Sequence, residues 1–393
     1  MDEGSMETKV CVIGGKLQGT EALYLAEKAG METTLIDHSN SPLGKNFCGR
    51  FLCRDVIQYN RELLEVLEEA DFVIPALEDR ETLTFLAELA REHDINLVYD
   101  EAAYEITSSK LKSDRLMREK GLPCPRYYPE GNFPYIVKPS ALSCSAGVAR
   151  IDAEDAMRAF LDEPRAEEWV VEEYLDGPSY SLEVIGVPGA YRTYHVTELF
   201  MDRDYDCKRV LSRPDLEASL RLRLEEETFA LAEAVRLHGI MDVEVIESGG
   251  DLKILEIDAR IPSQTPIAVY HATGVNMMSE LAEIFAGGNP AAPRSCARER
   301  FVALEHIRVE GNRARVLGEH ILSEAEPLTV EKDFCGADEA LTDYAPGKEN
   351  WTATLISAAE SREELARKRA RIPEEIAALI RQDVVFGDEE PER

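Results

Sequence analysis

The chain has 393 residues, of which 44% are hydrophobic, so it is long enough to bury a sizeable core and to form more than one domain. Its formal net charge of −32 repels nucleic acid and anionic lipid, which argues against partners of either kind. There is no apolar run of membrane-spanning length and no C-x-x-C pair, so we expect a reduced, cytoplasmic protein.

The N-terminal part of the chain alternates between strands and helices. The runs "KVCVIGG", "METTLID", "DFVIPAL" and "INLVYD" predict strands, whereas "TEALYLAEKAG" and "DRETLTFLAELAREH" predict helices. Strands that alternate with helices in this way usually pair in parallel. The pattern therefore predicts a Rossmann-like domain over residues 1–108.

A connector and a small α+β unit follow. Residues 109–125 contain a Ser-led helix that ends at Gly121, and we interpret them as a link between domains. The segments "PYIVKPS", "ALSCSAGVARI" and "AEEWVVEEYLDGPSYSLEVIG" predict a small α+β unit over about residues 130–190. In the last of these segments we expect two strands around a turn.

The rest of the chain begins with a long amphipathic helix, "EASLRLRLEEETFALAEAVRLHG". It precedes a predicted hairpin over residues 241–260, with Gly249 and Gly250 in the turn. We assign residues 109–300 to a second domain. The weaker pattern of residues 301–393, with a strand and a helix in "NWTATLISAAESREELARKRARI", predicts a C-terminal α/β segment that completes this domain.

The turn "GGKLQG" after the first strand partly matches the dinucleotide fingerprint G-x-G-x-x-G. Gly14 and Gly19 occupy the outer positions, but Lys16 replaces the middle glycine and fills the space that a pyrophosphate needs. Asp37 ends the second strand, where a ribose-binding acid is expected. A nicotinamide-dependent dehydrogenase is thus an alternative that the turn disfavours, and Lys16 and Gln18 suit another ligand with phosphate or carboxylate.

Acidic side chains gather on the predicted hairpin. Glu256 and Asp258 alternate with apolar residues and so share one face of their strand, and Glu244 lies on the other strand. Hard cations such as Mg²⁺ bind carboxylates together with substrate phosphates, and a metal turns the repulsion into ligation. We predict a metal site here, with Arg260 next to a phosphate oxygen. A solvated face with salt bridges is the alternative.

The order of these features resembles the ATP-grasp ligases: a Rossmann-like domain, a linker lysine, a strand lysine before a small-residue loop, an acidic hinge and a carboxylate hairpin. The resemblance covers residues 8–290 and implies α/β and α+β structure in an ATP-grasp fold with an N-terminal Rossmann-like domain. In "GGKLQGTEALYLAEKAG", "SLEVIG", "YDC", "GIMDVEVI" and "EIDARIPSQTP" it is closest to members that join 3-methyl-D-ornithine to L-lysine in pyrrolysine biosynthesis. It implies a methanogenic archaeal or bacterial source, and the acidity suits a salt-adapted methanogen.

The resemblance implies an ADP-forming carbon–nitrogen ligase that uses ATP and Mg²⁺. The ATP contacts that it implies are Lys16, Lys110, Lys138, Ser143, Ser145 and Gly147 near the phosphates, and Glu172, Glu173, Tyr174 and Leu175 in the adenine hinge. Lys112 competes with Lys110 for its role. The implied Mg²⁺ ligands are Glu244, Glu256 and Asp258, and Arg260 is the implied catalytic residue near the transferred phosphoryl group.

The resemblance also implies that the carboxylate of 3-methyl-D-ornithine is phosphorylated by ATP and then attacked by the Nε amine of L-lysine. Glu78 is the candidate for binding lysine, with Leu17 and Gln18 beside it. The candidates on the methylornithine side are Ser181, Glu183, Asp206, Arg260, Ser263, Gln264 and Thr265. An ATP-grasp ligase for another acid or amine remains an alternative, and the oligomeric state is left open.

Overall fold

The computed structural model describes residues 7–142, 146–164, 168–287 and 299–388. The strands are β1 (Lys9–Ile13), β2 (Glu32–Asp37), β3 (Arg50–Cys53), β4 (Phe72–Pro75), β5 (Tyr135–Pro139), β6 (Ala149–Ile151), β7 (Trp169–Glu173), β8 (Ser179–Val187), β9 (Ala190–Thr193), β10 (Thr197–Met201), β11 (Cys207–Ser212), β12 (Gly239–Ser248), β13 (Asp251–Asp258), β14 (Phe301–Glu310), β15 (Arg313–Val316), β16 (Thr329–Lys332), β17 (Glu339–Thr342), β18 (Asn350–Ala359) and β19 (Val385–Asp388).

The helices are α1 (Leu17–Lys28), α2 (Arg61–Glu68), α3 (Arg80–His93), α4 (Glu101–Thr107), α5 (Lys110–Lys120), α6 (Glu154–Asp162), α7 (Ala218–Val235), α8 (Thr265–Thr273), α9 (Met277–Phe285) and α10 (Arg362–Ile380). Short 3₁₀ turns lie at Lys45–Phe47 and Glu319–Glu324. None of the helices in the described part of the chain is both long and apolar enough to cross a membrane.

The N-terminal unit contains a parallel sheet in the order β3-β2-β1-β4, as the strand–helix alternation predicts. The predicted strand "INLVYD" is wrong, because only Leu97 forms a bridge, to Val73 on β4. The chain then turns into α4, whose first amides are capped by Asp100, so the pairing does not extend. The short, partly exposed strand β3 carries no strong periodic signal, and the sequence analysis does not include it.

The glycines of the "GGKLQG" turn are needed for packing within the protein. Gly14 has φ +95°, and a Cβ there would lie 2.6 Å from the Ala76 carbonyl oxygen. A Cβ at Gly19 would lie 1.8 Å from the carbonyl oxygen of Gly14. Asp37 accepts a hydrogen bond from the Gly15 amide at 2.7 Å, so its carboxylate holds the turn. The partial fingerprint therefore has a structural explanation without a dinucleotide.

A small antiparallel sheet, in the order β6-β5-β7, carries α6. The two strands that we expected around one turn, β7 and β8, belong to different sheets, so that prediction is wrong in its pairing. The chain between them crosses closely over β12, since a Cβ at Gly177 would lie 1.9 Å from the Glu247 carbonyl oxygen. The turn is therefore the passage between two layers.

The large sheet runs in the order β13-β12-β8-β10-β11-β14-β18-β17-β16. The predicted hairpin is present as β12 and β13, and both Gly249 and Gly250 have positive φ in its turn. The predicted C-terminal strand and helix are β18 and α10. Strand β14 pairs with both β11 and β18, so residues 301–388 contribute to the same sheet as the hairpin. Apolar residues of α7 pack on one face of this sheet.

Candidate active site

A cavity of about 360 Å³ lies between the small sheet and the large sheet. Its walls come from the two lysines Lys110 and Lys138, the loop residues Leu142, Ala146 and Val148, the passage from Glu172 to Ser179, the end of β10, Tyr205, and Glu244 and Glu256 of the hairpin. The cavity combines apolar wall residues with two lysines and six carboxylates, of which Glu244 and Glu256 belong to the hairpin. This composition suits a nucleotide, with its base at the passage and its phosphates near the lysines.

Lys138 is almost completely buried on β5. Its ammonium lies 2.7 Å from the Glu172 carboxylate on the neighbouring strand β7, and the two side chains are only 9% and 5% exposed. Burial by itself lowers the pKa of Lys138, but Glu172 and Glu256 raise it overall. The lysine thus keeps its positive charge in a low-dielectric site, where its field acts strongly on an anionic ligand.

Lys110 begins α5 and connects two walls of the cavity. Its ammonium donates to the Leu142 carbonyl oxygen at 2.8 Å and to Glu256 Oε1 at 2.8 Å. Lys112 instead pairs with Glu105 and does not line this cavity. Of the two competing lysines, the geometry favours Lys110 as the ATP contact.

The other residues assigned to ATP have different positions. Glu173 lines the cavity, but its carboxylate accepts hydrogen bonds from the Arg126 backbone and guanidinium and is therefore already used. Gly147 is not among the lining residues, although its neighbours are. Lys16 is exposed and lines neither this cavity nor the acidic one described below. Ser143 and Ser145 lie outside the described residues.

The hairpin brings four carboxylates onto one face. Glu244 lies directly opposite Glu256, and Asp242 lies directly opposite Asp258. Burial, followed by repulsion from Glu256, raises the pKa of Glu244 to about 7, and burial raises that of Asp258 to about 6. Burial and the Asp258 charge raise the pKa of Asp242 as well. The sequence analysis missed Asp242, although the two-residue period from Glu244 points to it.

Arg260 lies just beyond the end of β13, so it does not continue the strand face. Its Nη2 atom is 2.6 Å from Glu78 Oε1, and its Nε atom is 2.8 Å from Asp258 Oδ2. Burial disfavours the charged guanidinium, but Asp258 and Glu78 more than offset this and raise the pKa of Arg260. Arg260 thus joins the N-terminal unit to the carboxylate hairpin.

A second cavity of about 140 Å³ adjoins the first and shares Glu244 and Glu256 with it. We call it the acidic cavity; its polar and charged lining residues are Ser181, Tyr205, Asp206, Asp242, Glu244, Glu256, Asp258, Arg260, Ser263, Gln264, Thr265 and Glu319. Among these described residues the acids far outnumber the single arginine. The cavity is therefore suited to a small ligand with more than one positive charge.

The loop "PSQT" forms one wall of the acidic cavity, and its assignment to methylornithine stays a prediction. Ser263 Oγ and Gln264 Nε2 donate to Glu319 at 3.1 and 2.7 Å. Gln264 has φ +66°, a conformation that residues other than glycine rarely adopt. Its backbone N–H donates a hydrogen bond to the Glu21 carboxylate. Glu319 was missed because no sequence pattern indicates that a residue after β15 returns to this cavity.

Two acids assigned to the methylornithine side differ in position. Asp206 lines the cavity, but its Oδ2 accepts hydrogen bonds from the His320 amide at 2.9 Å and the His320 ring at 2.5 Å. Glu183 lies across from Asp242 on β8, is completely buried and does not line the cavity. Burial raises the pKa of Glu183 to about 7, and the nearby Thr265 hydroxyl acts in the opposite direction.

The residues assigned to lysine lie at the junction with the N-terminal unit. Glu78 contacts Arg260 and is half-exposed. Gln18 donates through Nε2 to the Ile261 carbonyl oxygen at 2.5 Å, and Leu17 packs against the core. None of these three lines either cavity, but Glu78 and Gln18 each contact a residue of the hairpin or of the loop after it.

The chain is similar in sequence and in fold to several known proteins. Residues 107–264 match the ATP-grasp domain family. The 3-methyl-D-ornithine–L-lysine ligase of Methanosarcina acetivorans is 38% identical over 315 residues, which cover 80% of this chain and 84% of that protein. The solved L-amino acid ligase from Bacillus licheniformis is 16% identical and covers 94% of this chain and 98% of its own, with a TM-score of 0.67. An ADP complex of N5-carboxyaminoimidazole ribonucleotide synthetase, at 13% identity, covers 95% and 97%, with a TM-score of 0.69.

The two solved structures show the fold alone, and together with the family match they identify an ATP-grasp protein. The Methanosarcina relative makes it an ATP-dependent carbon–nitrogen ligase. The higher identity with the Methanosarcina protein extends over most of both chains. The chain belongs to the family of 3-methyl-D-ornithine–L-lysine ligases.

Proposed function

We propose that the protein joins the carboxylate of 3-methyl-D-ornithine to the Nε amine of L-lysine, with ATP converted to ADP and phosphate. The observation that carries this proposal is the acidic cavity beside the first cavity, which contains Lys110 and Lys138 and which we call the nucleotide cavity. Methylornithine brings two amino groups and lysine brings two, and ammonium groups need carboxylates and neutral oxygen acceptors. The 38% identity to a relative of that name supports the same substrates.

The shared wall of the two cavities suits a reaction in two steps. A carboxylate oxygen of methylornithine attacks the γ-phosphorus, the bond to the β-phosphate oxygen breaks, and ADP leaves. The lysine ammonium first loses a proton to solvent, and the free amine attacks the carbonyl carbon of the acyl phosphate. The carbon–oxygen bond breaks to release phosphate, and the nitrogen loses its second proton to give the neutral amide. The lysines of the nucleotide cavity and Arg260 stabilise negative charge, and the walls position the reactants.

The hairpin carboxylates fit a divalent cation. Glu244 and Glu256 face each other on adjacent strands, and Asp258 Oδ1 is buried without a hydrogen-bond partner in the described part of the chain. Such a set of oxygens suits Mg²⁺. Glu244, Glu256 and Asp258 would hold the ion, which when bound neutralises charge on the nucleotide phosphates.

The direct test is to incubate the protein with ATP, Mg²⁺ and the two amino acids, and to measure phosphate release and the mass of the product. We expect phosphate release to require both amino acids and the product to be the amide at lysine Nε. D-Norvaline, which lacks the side-chain amine of D-ornithine, should be rejected because it leaves buried carboxylates unpaired. Phosphate release without an amide product would contradict the proposal.

We also expect a pH dependence from the hairpin carboxylates. The folded protein holds protons on Glu244, with a pKa of about 7, and on Asp258, with a pKa of about 6, which the unfolded chain releases near pH 4. These two groups therefore lower the free energy of unfolding progressively as pH rises from about 4 to about 7. In EDTA, the Glu244→Gln variant should gain about 1–3 kcal/mol over the wild type between pH 5 and 8.

Urea denaturation at a series of pH values measures this difference. Excess Mg²⁺ should remove most of it, because the ion stabilises only the folded wild-type site. Parallel stability curves for the two proteins in EDTA would show that the Glu244 carboxylate titrates normally.

A further inference from the structure

Arg260 and Glu78 form an ion pair and neutralise each other. The guanidinium is the only cationic side chain among the described residues that line the acidic cavity, and it contacts Glu78 at 2.6 Å and Asp258 at 2.8 Å. Glu78 comes from the loop before α3 in the N-terminal unit, so this ion pair crosses between two parts of the chain.

The two substrates need these same two groups. A substrate that presents a carboxylate to this cavity has Arg260 as its charged partner there, because the other charged lining residues are acidic. Glu78 does not line this cavity, but its side chain is 38% exposed next to Arg260, so an ammonium group that approaches Arg260 from the N-terminal unit has Glu78 as its carboxylate partner. The carboxylate substrate therefore needs Arg260, which Glu78 already holds. The ammonium substrate needs Glu78, which Arg260 already holds.

We propose that Arg260 acts as a resident counter-ion whose exchange couples the binding of the two amino acids. This inference rests on the proposed function. The carboxylate of the acid substrate draws the guanidinium away from Glu78, and the lysine ammonium takes its place beside Glu78. Each substrate thus releases the group that the other requires, and the coupling must be reciprocal.

The exchange also favours an order of substrate binding, in which the acid substrate binds before lysine. Without the acid substrate, Arg260 competes with lysine for Glu78, so the amine substrate binds weakly. With the acid substrate in place, a lysine ammonium group replaces the guanidinium beside Glu78 and holds lysine in the site. Lysine is then held mainly when there is a carboxylate for it to attack.

The test is calorimetric titration of L-lysine into the full-length protein with ADP and Mg²⁺, in the absence and presence of 3-methyl-D-ornithine. In the wild type, methylornithine should tighten lysine binding by about 5- to 150-fold, the usual range of coupling between sites. In Arg260→Gln, lysine should bind the protein alone more tightly than it binds the wild type, and methylornithine should no longer improve it. A purely structural role of Arg260 predicts the opposite, weaker lysine binding.

A second variant keeps the test decisive if Arg260→Gln does not fold. Glu78→Gln leaves the guanidinium less tightly held, so methylornithine should bind alone more tightly than in the wild type, while lysine binds more weakly and the coupling disappears. Arg80→Gln is the matched control, because Arg80 begins the helix next to Glu78 and pairs with Glu105 outside the acidic cavity. It should retain the wild-type coupling.

The outcomes separate the two proposals. If the wild type binds neither amino acid, or makes no amide from them, the proposed function fails. If the wild type ligates both but shows no coupling, or if Arg260→Gln weakens lysine binding or keeps the coupling, the counter-ion exchange is wrong while the proposed function stands.

Discussion

Replacing Glu256 with glutamine is expected to lower turnover by about 10²- to 10³-fold, the range seen when one group that stabilises transition-state charge is lost. Glu256 lies opposite Glu244, faces both cavities and accepts a hydrogen bond from Lys110. The substitution keeps the size of the side chain but removes one negative charge from the proposed Mg²⁺ site and one partner from Lys110. The Mg²⁺ concentration that gives half-maximal rate should rise as well.

The fold should survive this change. The Glu256 charge raises the pKa of both Glu244 and Asp258, so its removal relieves repulsion within the hairpin when no metal is bound. We therefore expect an unchanged or higher Tm in EDTA together with the loss of activity. Asp251→Asn, at the exposed first residue of β13 and far from the carboxylate face, is the matched control and should leave both activity and metal dependence unchanged. Near-normal turnover of both Glu256→Gln and Asp258→Asn would exclude the hairpin as the metal site.

Local pattern was enough to predict the hairpin on which the proposed metal site lies. The two-residue period of β13 predicts that Glu256 and Asp258 share a face, and the paired glycines predict the turn that returns the chain to Glu244. The same period reaches Asp242, which the sequence analysis overlooked. Regular strands thus allow a face to be read from the sequence, because side-chain direction follows from the backbone alone.

The sequence did not predict which residues from distant parts of the chain come together at the site. Glu319 reaches the acidic cavity only because β15 pairs with β14 in the large sheet, and nothing local records that pairing. The ion pair between Glu78 and Arg260 likewise depends on how the N-terminal unit sits on the hairpin. The segments around β7 and β8 resemble a hairpin locally, yet the two strands belong to different sheets. Adaptation to salt and a cytoplasmic location remain predictions from composition.

Lys138→Met is expected to lower the free energy of unfolding by about 3–5 kcal/mol and to abolish measurable ATP binding. The substitution leaves the Glu172 carboxylate buried without its cation, and removing one partner of a buried ion pair typically has an effect of this size. It also removes a positive charge from the nucleotide cavity. Urea denaturation and calorimetric titration of ATP measure the two effects separately. Lys112→Met is the control, since its exposed pair with Glu105 contributes about 0–1 kcal/mol at most.

The double variant Lys138→Met/Glu172→Met separates the structural role of Lys138 from its role in binding. Replacing both members of a buried ion pair with apolar side chains of similar volume is often neutral or stabilising, so we expect most of the lost stability to return. ATP binding should not return, because the charge that faces the phosphates is still missing. If the double variant regains ATP affinity together with stability, Lys138 acts by holding Glu172 and the strand before the hinge, and its assignment as a phosphate contact is wrong.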